Sequence, residues 1–292
     1  MNDPVPSAPT NVLIVGVGGQ GVIMVSKVLA RVLQLEGHEV KQSEVHGMAK
    51  RGGAVFSHVR YGPQVWSPTI PAGQADILVA LEWAEGLRWL DYLRPDGGVF
   101  ISDTRAIVPP FACRDRTLGA SSAYRVTDVA RVAELVPQVV ALDASGLARE
   151  LGNERVANTV LLGALSGVMD IPVESWESVI PEFVPPATIE TNLRALHTGL
   201  TWEPDDDAHI GADSTPEGPV SGDFTVDLEI NRAWCKSCDI CVQLCPERCL
   251  TLDTDGIVEV TDASACTGCR ICEWLCPDFA INVHVSSPKV DA

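Results

Sequence analysis

Apolar and polar positions alternate in blocks through the first two hundred residues. Residues 11–15 (NVLIV) are a short apolar run ended by glycine, which predicts a buried strand. Residues 22–35 carry apolar side chains at helical spacing, and Gly37 stands where such a helix would stop. A second strand is predicted over 39–42. Residues 54–60 (AVFSHVR) alternate with period two, with Val55, Ser57 and Val59 on one face and Phe56 and His58 on the other. Residues 76–81 predict another buried strand, 82–93 a helix, 94–98 (RPDGG) a turn and 99–102 a strand. Residues 138–142 and the small-residue-rich helix 155–169 continue the series, and 172–200 close it with one or two amphipathic helices. This order predicts an α/β fold with a doubly wound, mostly parallel sheet covered on both faces.

The pattern stops at residues 201–223. That stretch is rich in Pro and Gly, and it holds seven acids and no Lys or Arg. It has too few apolar side chains to form a core and reads as a linker. Periodicity returns with a strand over 224–230. Two short strands follow, 250–252 and 280–283, each just after a Cys-Pro step. The expected organisation is a tail (1–10), an α/β domain (11–200), an acidic linker (201–223) and a small α+β domain (224–292).

The small domain carries the most specific chemistry in the chain. It reads Cys235-x-x-Cys238-x-x-Cys241-x-x-x-Cys245-Pro246 and then Cys266-x-x-Cys269-x-x-Cys272-x-x-x-Cys276-Pro277, a repeat of 31 residues. This is the bacterial two-cluster ferredoxin spacing, in which the fourth Cys of each run ligates the other cluster. The expected ligand sets of two [4Fe–4S] clusters are Cys235, Cys238, Cys241 and Cys276, and Cys266, Cys269, Cys272 and Cys245. Zinc sites use pairs of ligands rather than triplets followed by Cys-Pro. Disulfides would need an oxidising compartment. Eight thiolates satisfy two clusters, so Cys249 reads as packing, as does the isolated Cys113. Trp234, Trp274, Ile240, Ile271 and Leu275 are expected to keep water from the clusters.

A weaker signal lies near the N-terminus. Gly16-Val17-Gly18-Gly19-Gln20-Gly21 matches G-x-G-x-x-G where a strand turns into a helix, so backbone N–H groups would face an anion there. Four readings stay open: a dinucleotide with Glu44 on its ribose, a tight turn needed only for packing, a phosphate or diphosphate of another cofactor, or part of a partner subunit's site. The following stretch, residues 43–53 (SEVHGMAKRGG), reads as a polar, basic loop at the same sheet edge. His46 reads as a loop histidine and His58 as a packed strand histidine.

Composition narrows the classes. The chain has 292 residues, enough for two domains, and 46% are hydrophobic. No apolar run reaches the roughly 18–20 residues of a membrane span. The first ten residues read as a polar tail rather than a targeting signal. Ten cysteines without an export signal fit a reducing cytoplasm. A net charge of −18 disfavours nucleic acid and favours solubility.

The glycine turn followed by SEVHGMAKRGG resembles the gamma domain of the 2-oxoacid:ferredoxin oxidoreductases, most nearly the small subunit of the indolepyruvate type. The C-terminal run resembles the delta, ferredoxin-type subunit of the same enzymes, so the chain looks like a gamma–delta fusion. The indolepyruvate small subunit itself lacks a ferredoxin domain, and here this chain departs from it. The resemblance implies a complex in which alpha- and beta-type partner subunits bind thiamine diphosphate with Mg, decarboxylate a 2-oxoacid and pass the acyl group to coenzyme A. Electrons would leave singly through the two clusters to an external ferredoxin. Gly18, Gly19, Gln20, Ser43, Glu44, Arg51 and Gly52 would line the approach to coenzyme A or the thiamine cofactor. No catalytic residue is expected in this chain, and the carbon chemistry falls to its partners. The rival reading is an NAD(P)H-linked iron–sulfur reductase subunit. That activity needs a flavin to split the hydride into single electrons, and no second glycine fingerprint is present.

Overall fold

In the computed structural model, residues 8–46, 53–105, 129–203 and 224–286 are described. The strand β1 (Thr10–Val17) is buried from Asn11 onward and stands inside a six-stranded sheet. On one side β4 (Ile77–Ala80) pairs with it in parallel, followed in parallel by β5 (Val99–Asp103) and β6 (Gln138–Leu142). On the other side β3 (Ala54–Gly62) runs antiparallel to β1, and β2 (Glu39–His46) antiparallel to β3. The order is β2-β3-β1-β4-β5-β6. Only β3 opposes the common direction, so the sheet is mixed but mostly parallel.

Loop length explains that one reversal. Seven residues join β2 to β3, too few for a parallel crossover of a dozen or more. The pair therefore closes as a hairpin, registered from Glu39↔Gly62 to His46↔Val55. Ser43 and Glu44 thus belong to a strand, where the local pattern suggested a loop. The rest of that loop, with Arg51 and Gly52, lies outside the described residues, as do Cys113 and most of the expected linker.

Helices cover both faces. Helix α1 (Val22–Leu35) lays Val22, Val25, Val28, Leu29, Val32 and Leu33 against Val12, Ile14, Val55, Val59, Ile77 and Val79. Gly37, at φ 83, ends it in the left-handed conformation that favours glycine. Across the sheet, α2 (Trp83–Arg88) brings Trp83 against Phe100, ring centroids 5.8 Å apart. Phe56 and His58 face that side too, with Phe56 at 4.4 Å from Trp89 and the His58 Nδ1 accepting the Ile70 N–H. The short helices α3 (Val129–Ala133) and α4 (Ala144–Glu150) flank β6. Then α5 (Ala157–Val168), α6 (Val173–Val179) and α7 (Ile189–Leu200) complete the layer. The small residues of α5 have a cause. A Cβ at Gly163 would press on the Leu196 carbonyl of α7, and one at Gly199 on the Val160 carbonyl of α5, so these glycines let the two backbones touch.

The second unit holds 224–286. β7 (Thr225–Ile230) pairs antiparallel with β10 (Ile281–Ser286), and β8 (Leu250–Leu252) pairs with β9 (Val258–Val260). Two short helices, α8 (Ile240–Leu244) and α9 (Ile271–Trp274), stand in corresponding places of the 31-residue repeat. The backbone repeats as well. Ser237, Asp239 and Arg248 have φ of 56, 63 and 55, and Gly268, Arg270 and Phe279, each 31 residues later, have 64, 57 and 54. Non-glycine residues seldom adopt this conformation, so its recurrence in register shows that both halves make the same turns. The apolar part of the unit is thin. Leu250, Val258, Ile281 and Val283 pack with Cys241, Cys245 and Cys249. Among the described residues no helix is long and apolar enough to cross a membrane.

Candidate metal centres and the glycine turn

The left-handed residues between the cysteines set the geometry of the second unit. They reverse the chain at each step, which brings successive N–H groups to one side and forms concavities of the kind that hold anions, iron–sulfur clusters among them. Thiols gather in two groups. Cys241 is under the electrostatic influence of Cys276, Cys238 and Cys235. Cys269 senses Cys245 and Cys266, and Cys272 senses Cys269, Cys241, Cys266 and Cys245. Cys276 is thus a neighbour of Cys241, and Cys245 shares a cavity lining with Cys266, Cys269 and Cys272. A cavity lined by Cys245, Cys249, Cys266, Cys269 and Cys272, with Leu228, Ile271 and Val283, marks the second group.

These thiols are poorly suited to ionise unaided. Burial, and then the neighbouring Cys276 and Cys238 sulfurs, push Cys241 up to about 12. Burial lifts Cys272 well above the ordinary thiol range, with Cys269 the next contributor. Burial raises Cys269 and Cys276 also, while the Ala280 N–H, 3.2 Å from the Cys276 Sγ, works the other way. Four crowded, buried sulfurs become thiolates together only against a strongly positive partner, which is how metal binding displaces thiol protons. The donor set thus fits iron. Among the described residues no three His, Cys, Asp or Glu side chains close on a single ion. Ile271 and Leu275 are buried beside Cys269 with Ile240, Leu244 and Trp274 around them. The Trp274 indole nitrogen is buried without an acceptor among the described residues.

Cys249, read from the spacing as packing, is buried in the second unit and also meets another sulfur. It is 2% exposed, and its Sγ lies 3.4 Å from that of Cys245. Burial, and then hydrogen bonding with Cys245, hold its thiol far above the usual range. The only sequence signal was position: it follows Cys245-Pro246 by three residues, where the other half has Ala280.

In the first unit the glycine turn is closed by its own side chains. The Gln20 Oε1 accepts the Val17 N–H at 2.9 Å, and its Nε2 donates to the Leu81 carbonyl at 2.8 Å. The Gly18 N–H donates to the Gly53 carbonyl at 2.8 Å. Gly21, at φ 87, caps α1 and abuts the Asn158 amide. Gly18 and Gln20 are buried, and Gly19 is exposed at the tip. Gly53 brings the end of the β2–β3 connection to this turn, so the two sequence segments do share one sheet edge. Ser43 and Glu44 sit back along β2, where Glu44 Oε1 accepts from Gln42 Nε2 and the Ser43 carbonyl from the Ser57 hydroxyl. Strand β3 stands between β2 and β1, which separates Glu44 from the turn it would need to serve as a ribose ligand beside a dinucleotide.

A buried carboxyl at the same edge has no signature in the sequence. Asp103 ends β5, is 2% exposed, and accepts hydrogen bonds from the Ser145 hydroxyl (2.7 Å) and the Arg105 N–H (3.1 Å). Burial raises it to about 6 against the lowering effect of those bonds.

Comparison with known proteins places the first unit. The family described as pyruvate ferredoxin/flavodoxin oxidoreductase matches residues 11–202. The indolepyruvate oxidoreductase subunit IorB of Thermococcus kodakarensis is 36% identical over 194 residues, 65% of this chain and 94% of that protein. The 2-oxoglutarate synthase subunit KorC of Methanothermobacter thermautotrophicus is 32% identical over 194 residues, 64% of this chain and 90% of that one. A solved structure, the 2-oxoglutarate:ferredoxin oxidoreductase from Magnetococcus marinus, shares the fold at a TM-score of 0.50 and 20% identity, over 66% of this chain and 31% of that one. With a family match across most of its length, from β1 to the end of α7, this chain belongs to the pyruvate ferredoxin/flavodoxin oxidoreductase family.

Proposed function

We propose that this chain is the electron-transfer subunit, gamma and delta types in one polypeptide, of a thiamine diphosphate- and coenzyme A-dependent 2-oxoacid:ferredoxin oxidoreductase. The observation that carries the reading is the pair of four-cysteine groups in a chain whose first unit belongs to this family. Relatives named for indolepyruvate and for 2-oxoglutarate support a 2-oxoacid as the substrate class. The Magnetococcus marinus enzyme was solved with coenzyme A bound, and the complex proposed here would use the same acyl acceptor.

Cys235, Cys238, Cys241 and Cys276 would hold one [4Fe–4S] cluster and Cys266, Cys269, Cys272 and Cys245 the other. Such clusters, when bound, supply one-electron storage and transfer at low potential. The chain's own part is to hold the thiolates and to exclude water with Ile271, Leu275 and Trp274. Gly18, Gly19 and Gln20, with Ser43, Glu44, Arg51 and Gly52, are proposed to border the partners' active site. Of these, Gly18 and Gln20 act through the shape of the turn, because their hydrogen bonds are spent inside it. Thiamine diphosphate and Mg belong to alpha- and beta-type partner subunits in this reading, the acceptor is a ferredoxin-like protein, and the setting is the reducing cytoplasm.

The test is an iron count on the full chain isolated without oxygen. About eight irons per chain are expected, and Cys238→Ala should retain about half of them. A colourless, iron-free protein, or an iron content untouched by that substitution, would refute the assignment. Co-isolation of large thiamine-containing chains supports the complex, and turnover of a 2-oxoacid by the chain alone would contradict it.

A further inference from the structure

The two cysteine groups repeat each other in spacing and in backbone, and they differ where a side chain meets the fourth ligand. In one half the chain runs Cys276-Pro277-Asp278-Phe279-Ala280. In the other it runs Cys245-Pro246-Glu247-Arg248-Cys249. Phe279 and Arg248 share the left-handed φ, 54 and 55, so Ala280 and Cys249 leave equivalent turns. Both are buried, at 3% and 2% exposure. Ala280 offers a methyl group. Cys249 offers a thiol, 3.4 Å from the Cys245 sulfur and within reach of Cys266 as well. It also lines the cavity shared by Cys245, Cys266, Cys269 and Cys272.

We infer that Cys249 is a positioning residue for the Cys245 group, donating its S–H to the sulfur of Cys245 and so raising the reduction potential of the cluster held there relative to the same site with alanine. The inference rests on the cluster reading above. Four thiolates complete that set, which leaves Cys249 free to keep its proton and act as donor. A hydrogen bond to a ligating thiolate draws charge from the sulfur, and this favours the reduced, more negative state. Charge-assisted bonds of this sort are stronger than neutral ones, and in a site with little water the effect is not diluted. The repeat supplies an internal reference, because Ala280 shows that the fold accommodates alanine at the equivalent position.

The experiment is a potentiometric titration of the full chain, isolated without oxygen and followed by electron paramagnetic resonance, with iron counted in every sample. In Cys249→Ala one midpoint should move to more negative potential, the other should stay, and iron should equal that of the wild type. Cys249→Ser, which keeps a donor, should move less. The reciprocal Ala280→Cys should raise the midpoint of the other cluster, and it tests the inference even if Cys249→Ala folds badly. Unmoved midpoints in iron-replete Cys249→Ala or Ala280→Cys would overturn the inference alone. Equal shifts in the alanine and serine variants would assign the effect to packing and overturn it too. Loss of about half the iron in Cys249→Ala would make Cys249 a ligand instead of a donor. An iron-free wild-type chain would remove the cluster reading along with it.

Discussion

The two units of this protein solve the problem of holding a shape by different means. The first buries a continuous apolar layer between a six-stranded sheet and its helices, with side chains such as Ile14, Leu29, Val79, Leu161 and Trp176 fully enclosed. The second has about sixty described residues and two sheets of two strands each, and much of its interior is sulfur. A unit of that size has a marginal apolar core, to which a bound metal would add stability. The contrast teaches where function can reside. Packing decides the first unit, and its polar groups at the glycine turn are spent on structure. In the second unit, on the cluster reading proposed above, the chemistry and the stability would share the same atoms.

The sharpest way to break that contrast is to take iron away. On the cluster reading, chelation under reducing conditions should unfold the second unit while leaving the first intact, because the binding free energy of the metal would be folding free energy there. Limited proteolysis should then digest residues 224–286 and spare the sheet of the first unit. Equal protection of both units would show that the second stands on its own core.

A cut into the first unit should do the reverse. Trp176 is fully buried against α1 and its surroundings, so Trp176→Ala should cost about 3–5 kcal/mol of stability. Denaturant unfolding followed by far-ultraviolet circular dichroism would measure the loss, and the iron content of the folded protein should not change. A fall in iron would mean that the units are coupled.

The smallest expected effect concerns pH. Asp103 is raised from an ordinary 3.8 to about 6 in the folded chain. Its folded form therefore holds a proton that the unfolded form has lost between those values. The stabilisation is fully present below pH 4 and is lost as pH rises through 6, a change of about 2–3 kcal/mol. Asp103→Asn removes this dependence, so its stability relative to the wild type should improve between pH 4 and pH 7. A difference independent of pH would show that Asp103 titrates normally.

Parts of this architecture were legible in the chain because they depend on near neighbours. The helix over 22–35, the strand over 138–142 and the alternation of Phe56 and His58 against Val55 and Val59 follow from local periodicity, and each has its place in the structure. Other features escaped because their partners are distant in sequence. Ser43 and Glu44 read as loop until a hairpin extended β2 to His46. Gln20 read as a ligand-facing residue, yet its amide reaches the Leu81 carbonyl, 61 residues away. Asp103 carries no motif, and its hydrogen bonds from Ser145 and Arg105 with the surrounding burial distinguish it from any strand-end acid.

What the sequence by itself determined is the spacing on which the proposed cluster chemistry rests: thiols at intervals of two and three residues, written twice. Covalent spacing sets which sulfurs can share one corner of a cluster, so the reading needed no coordinates. The tertiary structure decided the rest. It set β3 between β1 and β2, turned Gln20 inward, and laid the thiol of Cys249 against Cys245 where the side chain of the twin site is the methyl group of Ala280. Those outcomes depend on which distant segments meet once the apolar faces are buried, and no local pattern records that.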